Sequence, residues 1–294
     1  MNEFQDMFDK LDVNLSNKKN KEEIQLQNTA MQQLLPEIFE EKRAIPNSFL
    51  RGALFGMVRK GKRALVKDAP IFSMSQYEIS FSGEHLDQND LEVWDTLIYL
   101  AKTRKVDNEL RLTLYDLCKQ MRMSPTKTAY ETLFKRIERL QFGQVRIKAN
   151  NKVFVGSLIN SGYMDTNKDG KLVIEYNKKL ATLFIDNDYT FISVDMRHLL
   201  GDNQLAKWLY NFYESHNKPM PFSIEFIKEL CRSETEYKDF KRKLKNALEM
   251  VKKAHLTVNI KSRWSYEITK EDYILIYPKG NNHKQIKFNN LGLF

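Results

Sequence analysis

The sequence predicts an α+β fold of two tandem winged-helix domains, each a helix-turn-helix with a β-wing, with an N-terminal extension and a short C-terminal tail. Three observations lead there. First, Trp94 with Tyr99, the pair Leu117-Cys118, and a basic helix pattern holding Tyr130, Leu133, Phe134 and Ile137 recur. Their counterparts are Trp208 with Tyr213, Leu230-Cys231, and Leu244, Ala247, Leu248 and Val251. Second, the offset is nearly constant over roughly a hundred residues and the apolar positions stay in phase, which indicates one small domain type used twice. Third, the repeated order is helix, short helix, turn, basic helix and strands, the order of a winged helix-turn-helix.

Charge divides the N-terminal third. Residues 1–41 hold nine acidic residues against four lysines, and residues 42–67 hold eight basic residues and no acid. The first stretch reads as an acidic, largely mobile region in which Ile24, Met31, Leu35 and Ile38 allow a short amphipathic helix. The second reads as a basic arm, densest at Arg59, Lys60, Lys62 and Arg63. The first winged-helix domain then spans 68–194, the second 195–278, and a tail 279–294.

Within the first domain, alternation over Ile71 to Phe81 predicts a strand. A helix over Asp87 to Lys102 buries Leu91, Trp94, Leu97, Ile98 and Ala101. A short strand at Leu110 to Leu112 precedes a helix over Leu114 to Met121. Ser124-Pro125 predicts the start of the next helix, combining an N-cap with proline in the first turn. That helix turns Ala129, Leu133, Ile137 and Leu140 inward. Strands over Gln144 to Lys148 and Val153 to Leu158 form the wing around Ala149-Asn150-Asn151-Lys152, and a further hairpin and a strand near Thr190 to Val194 close the domain.

The second domain opens with a helix carrying Leu205, Trp208, Leu209, Phe212 and Tyr213. Pro219 and Pro221 punctuate the loop before a helix in FSIEFIKELC. Ser233 followed by Glu236 predicts a capping box, and the helix beyond it buries Phe240, Leu244, Ala247, Leu248 and Val251. Val258, Ile260, Trp264, Tyr266 and Ile268 alternate along a predicted long strand, and YILIY returns beside it.

A net charge of +9 and a pI near 9.2 point to a polyanionic partner without choosing among nucleic acids and membrane surfaces. No apolar run approaches the roughly 20 residues of a membrane span, and MNEFQDMFDK lacks a signal-peptide run, so a soluble, cytoplasmic protein is expected. The basic residues supply the choice. They sit on the third helix of both repeats, where a helix-turn-helix meets the major groove of double-stranded DNA. Candidate contacts are Lys127, Thr128, Lys135, Arg136 and Arg139 on the first basic helix and Lys152 in the wing. On and just before the second they are Thr235, Lys238, Lys241, Arg242 and Lys245, with Arg59, Lys60, Lys62 and Arg63 adding phosphate contacts from the arm.

Catalytic patterns fail on inspection. Gly56-Met57-Val58-Arg59-Lys60-Gly61-Lys62 has phosphate-loop spacing, but Arg63 stands where a Ser or Thr must hold magnesium. Asp165-Thr166-Asn167-Lys168-Asp169-Gly170 resembles half a calcium loop, yet its twelfth position is Tyr176 rather than a bidentate Glu. His85, His198, His216, His255 and His283 lack ligand spacing, and no histidine pair supports a metal beside a nucleophilic tyrosine. Cys118 and Cys231 read as core residues, each closing an apolar helix at equivalent points of the two repeats. Neither enzymatic activity nor a cofactor or metal is expected.

The stretches AIPNSFLRGALF, FSMSQYEISFSGEHLDQNDLEVW and ESHNKPMPFSIEFIKELC, with the basic helix that follows the last, resemble TrfA-type plasmid replication initiators over about Ala44 to Tyr277. The resemblance implies tandem winged helices that dock on repeated origin sites, or iterons. It also implies a monomer–dimer equilibrium with an active monomer, and recruitment of the host initiator, replicative helicase and sliding clamp. Members carry a clamp-binding peptide of the type Gln-Leu-(Ser/Asp)-Leu-Phe before the first winged helix. Here Gln33-Leu34-Leu35-Pro36 breaks that pattern, whereas the C-terminal Asn290-Leu291-Gly292-Leu293-Phe294 matches it in type, with Asn290, Leu291, Leu293 and Phe294 as contacts. The leading reading is an origin-binding initiator, and the alternative is a tandem winged-helix transcriptional repressor, possibly autoregulatory.

Overall fold

The computed structural model describes residues 35–37, 39–58, 61, 63–104, 109–149, 152–165 and 171–278. Arg59, Lys60 and Lys62 of the expected arm lie outside the described residues, as do Ile24, Met31 and Ile38 of the expected short helix, whose Leu35 is described and not helical, and the tail with Asn290 to Phe294.

The chain is a mixture of helices and antiparallel sheets. It opens with β1 (Lys42–Pro46) and the one-turn α1 (Asn47–Leu50), then β2 (Leu65–Ile71) and β3 (Tyr77–Glu84). Helix α2 (Gln88–Thr103) begins where Asp87 accepts from the backbone N–H groups of Asn89 and Asp90 and the Asp90 carboxylate accepts from that of Asp87, a reciprocal cap. The expected stripe from Leu91 to Ala101 is buried, with Trp94 against Phe49. Strand β4 (Glu109–Thr113) ends in a second reciprocal cap, Thr113 with Asp116, that starts α3 (Leu114–Gln120). Next come α4 (Lys127–Phe142), β5 (Gln144–Ala149), β6 (Lys152–Ser157), β7 (Ser161–Asp165) and β8 (Lys171–Glu175). A 3₁₀ segment over Lys178–Asn187 leads to β9 (Tyr189–Ser193).

The second unit comprises α5 (Val194–Leu199), α6 (Gln204–Glu214), β10 (Phe222–Ser223), α7 (Ile224–Leu230), α8 (Tyr237–Val258), β11 (Ser265–Ile268) and β12 (Tyr273–Tyr277). Sheet orders are β2-β3-β5-β6, β4-β8-β7, β1-β9 and β10-β12-β11.

Residues 42–58 are part of the core rather than a basic arm. Strand β1 pairs along β9, and Ile45, Phe49, Leu50, Leu54 and Phe55 are almost wholly buried. The segment also ties the two units together: Trp208 Nε1 donates to the Gly52 carbonyl at 3.2 Å, Arg232 Nη1 to that of Ala53 at 2.9 Å, and Met57 N to that of Cys231 at 2.6 Å. Its apolar residues dominate because burying five large side chains contributes several kcal/mol, more than solvating the intervening charges.

Four local expectations are corrected. Helix α4 starts two residues late, with Thr126 rather than Ser124 as its N-cap, because the Thr126 Oγ1 accepts from Ala129 N at 3.2 Å. The capping box at α8 is absent: Glu236 stands at the N-cap without a side-chain bond. Helix α8 continues through Val258, so the long strand shrinks to β11. Its added turns are held by Ala254 and by His255, which stacks on Trp264 at 5.1 Å.

The two cysteines are not equivalent either. Both short helices end in the same motif, with Arg122 and Arg232 at positive φ (53° and 57°) and paired backbone bonds closing the turn (Met123 N to Cys118 O, Ser233 N to Lys228 O). Cys118 therefore matches Lys228, and Cys231 is the C-cap of α7.

Candidate nucleic-acid interface

Helix α8 is the most polarised element. Phe240, Leu244, Ala247, Leu248, Val251 and Ala254 are buried against α6 and α7, and Lys238, Lys241, Arg242 and Lys245 are exposed on the rest of its circumference. The spacing of three and four residues between apolar positions fixes which face points outward. Asp272, in the β11–β12 turn, receives hydrogen bonds from the Lys241 ammonium and, at 2.7 Å, from the Tyr237 hydroxyl. These two bonds hold its carboxyl below the usual range. The hairpin is thereby tied to the first half of the helix. Lys241, Lys245 and Lys252 line a cleft against Tyr266 and Thr269 of that hairpin.

Arg242 lies 3.4 Å from Asp239, with both side chains more than half exposed, so the pair contributes little and leaves the guanidinium available. Thr235, just before the helix, is half-buried and accepts from Lys243 at 3.3 Å. An exposed row of cations on a rigid helix, flanked by a two-stranded hairpin, can neutralise duplex phosphates and offer forked donors to base edges.

Helix α4 holds the equivalent place in the first unit, with a weaker surface. Lys127, Thr128 and Lys135 are exposed and Arg136 is half-buried. Arg139 is turned inward: its Nη2 donates to Asp90 Oδ1 at 2.6 Å and its side chain is 16% exposed. Arg63, half-buried, is likewise engaged with carboxylates, bonding Asp87 at 2.6 Å and Asp90 at 3.1 Å. Both leave the set of expected DNA contacts, because a solvent-free carboxylate at the head of α2 demands positive partners. Lys152 opens β6 and pairs with Asp186 at 2.8 Å in an exposed, weak contact.

A second basic cluster was missed by sequence reasoning. Arg43, Arg122, Arg136, Arg197 and Lys207 line a crevice between the units. They come from five separate elements, so no local pattern announces them. Among the described residues no group of three potential metal ligands occurs, and no helix is long and apolar enough to cross a membrane.

Comparison with known proteins gives this geometry a context. A model of the TrfA protein family matches residues 11–267. A plasmid replication initiator protein TrfA of Escherichia coli is 25% identical over 216 residues, a match that takes in 70% of this chain and 56% of that protein. This chain thus spans about half the length of its curated relative. Among solved structures, domains 2 and 3 of RctB superpose with a TM-score of 0.56 at 13% identity, over 81% of this chain and 99% of that one, a likeness of fold alone. With most of its length, including both basic helices, inside the family match, the chain belongs to the TrfA family.

Proposed function

We propose that this protein is a plasmid replication initiator without enzymatic activity that binds repeated sites in double-stranded origin DNA through two winged-helix units. In this reading α2, α3, α4 and the β5–β6 hairpin form the first unit, and α6, α7, α8 and the β11–β12 hairpin the second. The observation that carries it is the exposed row Lys238, Lys241, Arg242 and Lys245 on a helix whose other face is fully buried. Helix α8 reads the major groove as the principal contact, and α4 adds Lys127, Thr128, Lys135 and Arg136 in a neighbouring groove.

The protein acts in the cytoplasm, recruits the host initiator and replicative helicase, and shifts between an active monomer and a dimer. Its C-terminal Asn290 to Phe294 engages the sliding clamp, since apolar side chains on a polar tether fit a partner pocket. A plasmid carrying the presumptive origin should replicate only when this chain is supplied, and a variant neutralised at Lys241, Arg242 and Lys245 should fail to support it. Replication without the chain, with binding confined to its own promoter, would support a repressor instead.

A further inference from the structure

The crevice between the units encloses about 270 Å³. Helix α2 and the α3–α4 turn wall one side, and α5 with the start of α6 wall the other. Its carboxylates are largely committed. Glu92 pairs with Lys207 at 2.9 Å, and Asp195 beside the rim with Arg122 at 2.6 Å. Asp95, 1% exposed beneath the crevice, is shared by Arg197 and, at 4.0 Å, by Arg43. Asp202 lies exposed at the mouth.

Asp95 thus serves two buried guanidiniums, of which Arg43 also donates to the carbonyls of Glu40 and Lys42 and Arg197 also feels the charge of Glu92. Arg43 and Arg197 are 5% and 4% exposed, and the Nε of each is buried without a hydrogen-bond partner among the described residues. Burial lowers the pKa of Arg43, Asp95 opposes that, and repulsion from Arg197 and Arg122 adds to the lowering. Arg136 lines the same space, and its charge also reaches Asp87. Four guanidiniums and one ammonium lining a single cavity describe a place for an anion.

We propose that this crevice binds a phosphate group, clamped by Arg122 and Arg136 from the first unit with Arg43 and Arg197 supplying the charge behind it. Several forked donors around a small volume suit a tetrahedral, multiply charged oxyanion better than a chloride or a single carboxylate. A phosphate seated there joins the α3–α4 turn to α5, and so couples anion binding to the relative setting of the two basic helices. The phosphate belongs either to a small polyphosphate solute or to the DNA backbone.

The test is calorimetric titration of the full chain with pyrophosphate at constant ionic strength. Saturable one-to-one binding is expected, weakened at least about tenfold by Arg122→Ala with Arg136→Ala, which removes two charge-assisted contacts, and unchanged by Lys171→Ala. Should the double variant lose its circular dichroism spectrum, Arg136→Gln alone serves, with weaker binding expected. Repeating the titration on the DNA complex separates the sources: lost binding assigns the seat to a backbone phosphate, retained binding to a solute. No saturable binding, or equal affinity in wild type and variant, overturns the proposal.

Discussion

Arg139 donates to Asp90 at 2.6 Å, and the Asp90 carboxylate has no solvent exposure. A residue of the first basic helix is thus committed to the N-terminus of α2, where Arg63 meets the same carboxylate at 3.1 Å. Removing the carboxylate strands the Arg139 guanidinium at the interface of α2 and α4 and leaves Arg63 with Asp87 alone. Asp90→Ala is expected to destabilise the protein by about 3–5 kcal/mol, measured by denaturant unfolding. A loss below about 1 kcal/mol would mean that the pair is no stronger than a surface contact.

Arg139→Ala should likewise lower stability while leaving the salt dependence of DNA binding unchanged, because Arg139 does not face solvent. Neutralising Lys241, Arg242 and Lys245 should instead reduce the slope of log K against log salt by about 0.9 for each lost phosphate contact. Binding measured at several salt concentrations distinguishes the two. Equal losses from the two helices would contradict the ranking of α8 over α4.

Deleting residues 42–58 should unfold the protein rather than merely weaken its non-specific affinity. The segment supplies a strand of the β1–β9 ladder and buries Phe49, Leu50, Leu54 and Phe55. Loss of the cooperative thermal transition is the expected result. A folded truncation with a flattened salt dependence would restore the basic-arm reading.

Burial holds His255 at about 4, below its ordinary 6.5. An unfolded chain takes up this proton as pH falls through 6.5, whereas the folded chain resists until about 4, so stability is lost progressively across that window. Discounted for the partial exposure of the ring, the shift is worth about 1–2 kcal/mol. His255→Phe should be less acid-sensitive between those pH values. Identical pH profiles for variant and wild type would refute the assignment.

What could be read from the sequence followed from periodicity. The buried stripes of α2, α4, α6 and α8 were all visible, because apolar spacing reports the inward face whatever packs on it. Helix phase also misled: a shift of about one turn preserves the stripe, so Cys118 and Cys231 aligned although they stand at different positions before the same helix-ending motif. Caps were misplaced where Ser124 and Ser233 stood two and three residues before the N-caps Thr126 and Glu236. The ion pairs of Arg63, Arg122, Arg139 and Arg197 were beyond reach because their partners are distant in sequence. Residues 42–58 were misjudged because charge was counted and the interleaved aromatic and aliphatic residues were not.

In the proposed function two basic helices serve one DNA site, α8 as principal reader and α4 beside it. Hydroxyl-radical footprinting of the full chain on a duplex with a single origin repeat tests it most directly. Protection should cover about two helical turns on one face, with grooves about 34 Å apart. Charge removal at Lys241, Arg242 and Lys245 should abolish the whole footprint, and removal at Lys127, Lys135 and Arg136 should erase one half. Protection confined to a single groove, unaffected by the α4 variant, would contradict the account and leave the first unit a role in assembly alone.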